Sequence, residues 1–225
     1  MKISIKNQIS NLSNHDIKWY LFDEKLWITK YNEYADVEKS IERSKGSFNW
    51  LYEINDTVLF NNETGEFETA IIDMSGKIKT GDLDDFLISI KRKEKGGLFL
   101  AEKTYCDFEF SSLITYSKNS DCLISLPEKL TIEDLSILFI VDDFGFIVMN
   151  NQLEGWILKN ASKYIYIYEK IPDNNPELLA RYLNALNLWE ANDDDTEELK
   201  KLLESIKTKN DFFSLAIKDS IMNIL

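Results

Sequence analysis

Two short stretches of the chain place carboxylates at alternate positions. In "EFET", Glu66 and Glu68 flank Phe67; in "DFEF", Asp107 and Glu109 alternate with Phe108 and Phe110. Successive side chains of a strand point to opposite faces, so each acidic pair shares one face and the aromatic residues take the other. If both strands join one sheet, its outward face carries at least four carboxylates, with Glu53, Asp56, Glu63 and Asp73 in or near the same region. Besides a plain solvated face, two kinds of chemistry suit this pattern. A carboxylate pair in a cleft, one member with a raised pKa, can do the acid/base work of glycoside hydrolysis. An acidic face can also dock a basic protein, where complementary charge raises the association rate and fixes orientation.

Other chemistry-bearing spacings resolve into structure. Asp143-Phe144-Gly145 matches the magnesium-binding triplet of protein kinases. The chain, however, has no G-x-G-x-x-G loop and no catalytic His-Arg-Asp upstream. Its apolar, branched flanks "LFIV" and "FIVMN" suit two paired strands, with Asp142, Asp143 and Gly145 forming the turn between them. Pro172-Asp173 followed by Glu198-Leu199-Lys200 imitates a metal-dependent nuclease pattern, yet Glu198 and Lys200 fall at the start of a strongly periodic helix. The run "NDDDTEEL" lacks the central Gly of an EF-hand loop and reads as helix capping. One histidine, His15, sits in loop-like "LSNHDIK" and is expected to be exposed. Cys106 and Cys122 are expected as reduced, buried thiols. Neither supports a His-based triad or a structural zinc site, and no cofactor is implied.

The elements that would position these groups follow from periodicity. "IKWYLF" and "LWITKY" read as hairpin arms around Asp23-Glu24-Lys25, followed by a helix bearing Tyr34, Val37 and Ile41 and stopped by Gly46. Strands "NWLYEI", "TVLF", "EFETAIID" and "KIKT" come next, with hairpin turns at Asn62-Glu63-Thr64-Gly65 and Met74-Ser75-Gly76. Asp82 is placed to cap a helix carrying Leu83, Phe86, Leu87 and Ile90, whose basic end is "KRKEKGG". Further strands run to "YIYIYEKI", where Tyr164, Tyr166 and Tyr168 share a face expected to pack beneath C-terminal helices, the alternative being an exposed binding stripe. Asn175-Pro176 opens the first of these helices. Asp195 and Glu198 box the next, and "DFFSLAIKDSIMNIL" forms the last. The five tryptophans fit the core, and no internal repeat stands out beyond a loose likeness between 19–31 and 138–149. The segregation implies an α+β fold: a mainly antiparallel β-rich region over 1–171, then a helical segment over 176–225 expected to pack on the same domain.

Charge selects among the functions. The 225-residue chain is 44% hydrophobic and 29% charged, with net charge −13. Residues 51–175 carry 12 basic and 22 acidic side chains, so most of the excess lies mid-chain. Such a surface repels nucleic-acid phosphates and anionic membranes and attracts basic proteins. No apolar run reaches bilayer-spanning length, and the N-terminus alternates rather than forming a signal-peptide block, so the expected location is cytoplasmic. In size, acidity and lack of catalytic motifs the chain resembles immunity proteins of bacterial toxin systems, which cover the active site of a toxin domain. That resemblance implies a non-enzymatic binder of a basic, nuclease-like toxin. The alternative expectation is a carboxylate-dependent hydrolase or small-ligand binder.

Overall fold

A computed structural model describes residues 3–6, 15–47, 56–75, 78–101, 110, 113–127, 135–167, 174–191 and 196–225. The first strands are β1 (Ile3–Lys6), β2 (Asp16–Tyr20) and β3 (Lys25–Thr29), followed by helix α1 (Tyr34–Ile41). Strands β4 (Ser44–Ser47), β5 (Thr57–Asn61), β6 (Phe67–Asp73) and β7 (Ile78–Thr80) lead to α2 (Asp84–Ser89). Then come β8 (Arg92–Lys95), β9 (Gly97–Leu100), β10 (Ile114–Ser117), β11 (Cys122–Ser125), β12 (Ser136–Phe139), β13 (Phe144–Met149) and β14 (Gln152–Lys159). A 3-10 turn (Ala161–Tyr164) precedes α3 (Pro176–Ala191), α4 (Glu197–Ile206) and α5 (Phe212–Ile224).

The strands make a five-stranded sheet, β2-β3-β6-β5-β4, and a seven-stranded sheet, β7-β10-β11-β14-β13-β12-β8; β1 and β9 pair separately. Pairing is antiparallel except at the edge strands β7 and β8 of the larger sheet. This is the α+β, mainly antiparallel architecture expected from the sequence. The sheets bury their inner faces against each other, and Phe67 of one meets Phe146 of the other edge-to-face at 5.4 Å. Leu179, Leu183, Leu199, Phe213 and Ile217 of the C-terminal helices join the same core. Each outer face has a helical cover: Val37 and Ile41 of α1 over Leu59 and Ile71, and Leu83, Phe86, Leu87 and Ile90 around α2 over Ile124, Ile137 and Ile157. Covered on both sides, β5 and β6 are buried from Thr57 to Phe60 and from Phe67 to Ile72. Each large apolar side chain sealed this way contributes about 1.5–3 kcal/mol.

Topology reveals a duplication that the residue pattern hides. β2-β3-β6-β5-β4 and β10-β11-β14-β13-β12 have the same order when each unit is numbered from its own first strand. Lys25 pairs with Asp73 as Cys122 pairs with Lys159, and Trp19 faces Leu26 as Tyr116 faces Leu123. Both first hairpins turn through four residues, 21–24 and 118–121. Both turns end on a left-handed residue, Glu24 (φ 50°) and Asp121 (φ 45°). The register slips at the same place in both units, between Leu59 and Phe60 and between Ile147 and Val148, leaving Glu68 and Glu154 unpaired on that side. After its last strand each unit crosses to the other. β7 pairs parallel with β10, and Ile165 bridges in parallel to Trp19. The equivalent bonds Gly81 N–H to Tyr116 O and Tyr166 N–H to Trp19 O are both 2.9 Å.

Several sequence expectations are corrected. Gly46 does not stop α1; it lies in β4 at φ 133°, where a Cβ would sit 2.0 Å from the Val58 carbonyl oxygen. Gly145 is not part of the kinase-like turn. That turn is carried by residues 140–143, and Gly145 lies in β13, where a Cβ would press Ile137 at 2.9 Å and the Leu138 oxygen at 3.1 Å. "KRKEK" is not a helix end but edge strand β8, whose lysines suit an exposed edge. The segment after β6 makes no hairpin, since β7 joins the other sheet. "KYIYIY" is no meander strand: Tyr164 ends the 3-10 turn and donates to Asp143 Oδ2 at 2.6 Å, while Tyr168 lies outside the described residues. Asn175 Oδ1 accepts from Leu178 N–H at 3.1 Å, as a cap should.

Candidate functional site

Among the described residues, the expected acidic side chains are not gathered on one surface. Glu68 is only 4% exposed. It sits at the bulge where β6 slips against β5, on the side covered by α1, consistent with the way bulges re-aim side chains. There it receives Lys30 Nζ, Ser44 Oγ at 3.1 Å and Asn61 Nδ2 at 3.1 Å, with Tyr31 Oη at 3.5 Å. Burial pushes the Glu68 carboxyl up, but the bonds from Lys30, Asn61 and Ser44 together hold it below its ordinary value. Asp56 is 5% exposed and also structural: its carboxylate accepts the backbone N–H groups of Asp73 and Phe110, joining β6 to a distant segment. Asp73 pairs with Lys25 at 3.0 Å. Glu63 is exposed in the β5–β6 turn, and half-buried Glu66 bridges to Phe99. Glu53, Asp107 and Glu109 lie outside the described residues.

The lone histidine and Cys122 are also accounted for by packing. His15 is half-buried and stacks on Phe67 at 5.2 Å; burial holds its imidazole below the usual range. Cys122 is a free, buried thiol pushed up to about 12 by burial and by Asp121, which leaves it unreactive. Cys106 lies outside the described residues. Among the described residues no three His, Cys, Asp or Glu side chains are grouped to hold a metal ion.

The duplication instead creates two equivalent clefts, each between a first-hairpin turn, the segment crossing from the other unit, and a C-terminal helix. The first, about 200 Å³, is lined by Tyr20, Leu21, Phe22 and Asp23, by Tyr166 and Ile167, and by Ala216 and Asp219 of α5. Tyr20 and Tyr166 meet edge-to-face at 5.2 Å, and the Lys18 ammonium lies 5.0 Å from the Tyr166 ring centre. Phe22, at the tip of the turn, is 58% exposed. Burial, with Tyr166 and Asp23 adding to it, pushes the Tyr20 hydroxyl up to about 12. Beside the cleft, partial burial and then Asp73 and Glu190 hold the Glu24 carboxyl above its ordinary value.

The second cleft, about 320 Å³, has the same position in the other unit but is polar. Its polar groups are largely engaged: Lys118 pairs with Glu177 at 2.9 Å, Thr80 bonds Asn184 at 2.7 Å, and Arg181 reaches out to Ser205 at 2.9 Å.

Of the first cleft's residues the sequence singles out Tyr166, in the tyrosine row, while those of the hairpin turn and α5 carry no site expectation. The available signal was "YLFDEK", a hairpin tip that puts Phe where turn chemistry favours Gly, Asn or Asp.

The fold and clefts define a two-sheet α+β protein with an internally duplicated β unit. No protein-family model matches the chain, and a search of curated proteins finds no match. No helix among the described residues is long and apolar enough to cross a membrane.

Proposed function

We propose that the chain is a non-enzymatic binder of a basic protein, acting as immunity proteins do when they cover a nuclease-like toxin. What supports this reading most is the division of labour among its carboxylates. Asp56, Glu68 and Asp121 are buried and engaged by the chain's own donors, while the excess behind the net charge of −13 is carried by the remaining acidic side chains. Surface carboxylates of this kind stand in for substrate phosphates and steer a cationic partner into place. The hydrolase alternative requires two convergent carboxylates in a cleft, one with a raised pKa. Glu68, the most deeply enclosed of the expected pair, is instead held in the ionised form by Lys30.

The test is capture on the immobilised chain from the source organism's lysate at low salt, eluted with a salt gradient and identified by mass spectrometry. One basic protein released as salt rises is the expected result. A column that retains no basic protein overturns the proposal.

A further inference from the structure

The two clefts occupy equivalent places, yet they treat charge differently. In the second, Lys118 follows the last residue of β10 and supplies an ammonium to Glu177. The matching position of the first is Leu21, which follows the last residue of β2. The first cleft thus has no cation from the turn, but it keeps two carboxylates, Asp23 and Asp219. Neither enters an ion pair among the described residues. Aromatic walls, Tyr20 and Tyr166, stand beside them, and the Tyr166 ring already takes the Lys18 ammonium. Carboxylates and aromatic faces are each chemistry that receives a guanidinium or ammonium.

We infer that the cleft between the β2–β3 turn, Tyr166 and α5 is the anchor site of a basic protein partner and takes one arginine or lysine side chain, with Asp23 and Asp219 receiving the charge. The inference rests on the binding reading above and names the place where that binding centres. Size favours a side chain over a free ligand. About 200 Å³ accommodates one long side chain and falls below the usual ~300–1,000 Å³ of small-molecule sites. The exposed Phe22 ring adds an apolar contact for the residues on either side of the cation, which a free amine would leave unused.

The experiment is a titration of the full ¹⁵N-labelled chain, followed by amide shifts. The probes are acetyl-Phe-Arg-Phe-amide, its citrulline counterpart and agmatine. Saturable shifts at Tyr20–Asp23, Tyr166 and Ala216–Asp219 are expected from the arginine peptide. The citrulline peptide and the Asp23→Asn/Asp219→Asn variant should each weaken binding by about tenfold or more, and Phe22→Ala by a smaller factor. All three replaced side chains are at the surface or cleft rim, and an unchanged spectrum elsewhere certifies the variant's fold. Shifts that map to other carboxylates, or undiminished binding by the double variant, overturn the anchor site while leaving the binding reading intact. Agmatine bound as tightly as the peptide makes the cleft a small-molecule site and overturns it too. No saturable shift from any probe, together with no basic protein retained in the capture experiment, overturns both.

Discussion

Two glutamates, Glu68 within β6 and Glu24 just before β3, carry opposite lessons about charge. Glu68 is enclosed and partnered, so its folded-state pKa lies below the unfolded value. Its contribution to stability is therefore complete above the unfolded pKa and is lost as pH falls through the lower, folded one. Glu68→Gln should cost about 1–3 kcal/mol at neutral pH, a value kept modest because Lys30 is partly exposed and regains water when its partner goes. The loss should shrink as the medium is acidified below the unfolded pKa, measurable by urea melts across pH. Glu24 is the reverse case: its raised pKa means that ionisation works against the folded state, more so as pH rises through the folded value. Glu24→Gln should raise the melting temperature at neutral pH and lose its advantage in acid; a lower melting temperature at neutral pH would contradict the account by partial burial and like charge. Neither role could be read from residue type. Alternation in "EFET" assigns Glu66 and Glu68 to one outer face, but only the register slip opposite Leu59 and Phe60 puts Glu68 out of step with the inward Ala70 and Ile72 and into the enclosed corner of Lys30, Tyr31 and Ser44. A bulge depends on the partner strand, which the local pattern does not contain.

Elements with strong local signals were legible, and those defined by distant partners were not. The β2–β3 hairpin, α1, the α2 face and the three C-terminal helices follow from periodicity, turn residues and caps such as Asn175. β7 and β8 are three and four residues long, polar on the exposed side, and exist because β10 and β12 offer them parallel edges. "KIKT" shows β7 as strand-like but not its partner, whereas the identity of β8 as a strand lies outside its own sequence. Glycines show the same division. Gly65 sits at φ 74° in a turn, with its nearest would-be Cβ neighbour 3.6 Å away, as the hairpin pattern suggests. Gly46 is demanded by β5, whose Val58 oxygen occupies the space of a side chain. Gly65→Ala should therefore cost only about 1–2 kcal/mol, the left-handed backbone penalty. Gly46→Ala should cost clearly more, about 3 kcal/mol or above, because strain and the displaced carbonyl add. Equal melting-temperature losses for the two would show that β4 and β5 separate more readily than their close approach implies.

At the scale of the whole molecule, the duplication escaped the sequence because equivalence resides in register rather than residue identity. Trp19 matches Tyr116, Leu21 matches Lys118, and Ala70 matches Trp156, each preserving a position while changing the chemistry. The same divergence left one cleft aromatic and acidic and the other internally paired. The two units are also interlocked. β7 leaves the first unit to complete the edge of β10, and the segment at Ile165 leaves the second to cover Trp19. The left-handed residues that end the turns hold these crossings, with Glu24 O accepting from Met74 N–H at 2.7 Å and Asp121 O from Ala161 N–H at 2.8 Å. Each unit thus relies on a strand edge that the other supplies, and both share one core with α3–α5. Cutting the chain between Ala101 and Glu102 separates the units along this line. Fragment 1–101 then retains β7 and β8 without the strands they pair with, while 102–225 leaves Ile165 without Trp19. Produced alone, each fragment should lack a cooperative thermal transition and expose apolar surface that recruits a hydrophobic dye. Co-produced, they should reassociate as a one-to-one pair with a single transition, seen by size-exclusion chromatography and circular dichroism. A sharp, independent transition in either isolated fragment would mean that the exchanged strands decorate two autonomous units rather than join one.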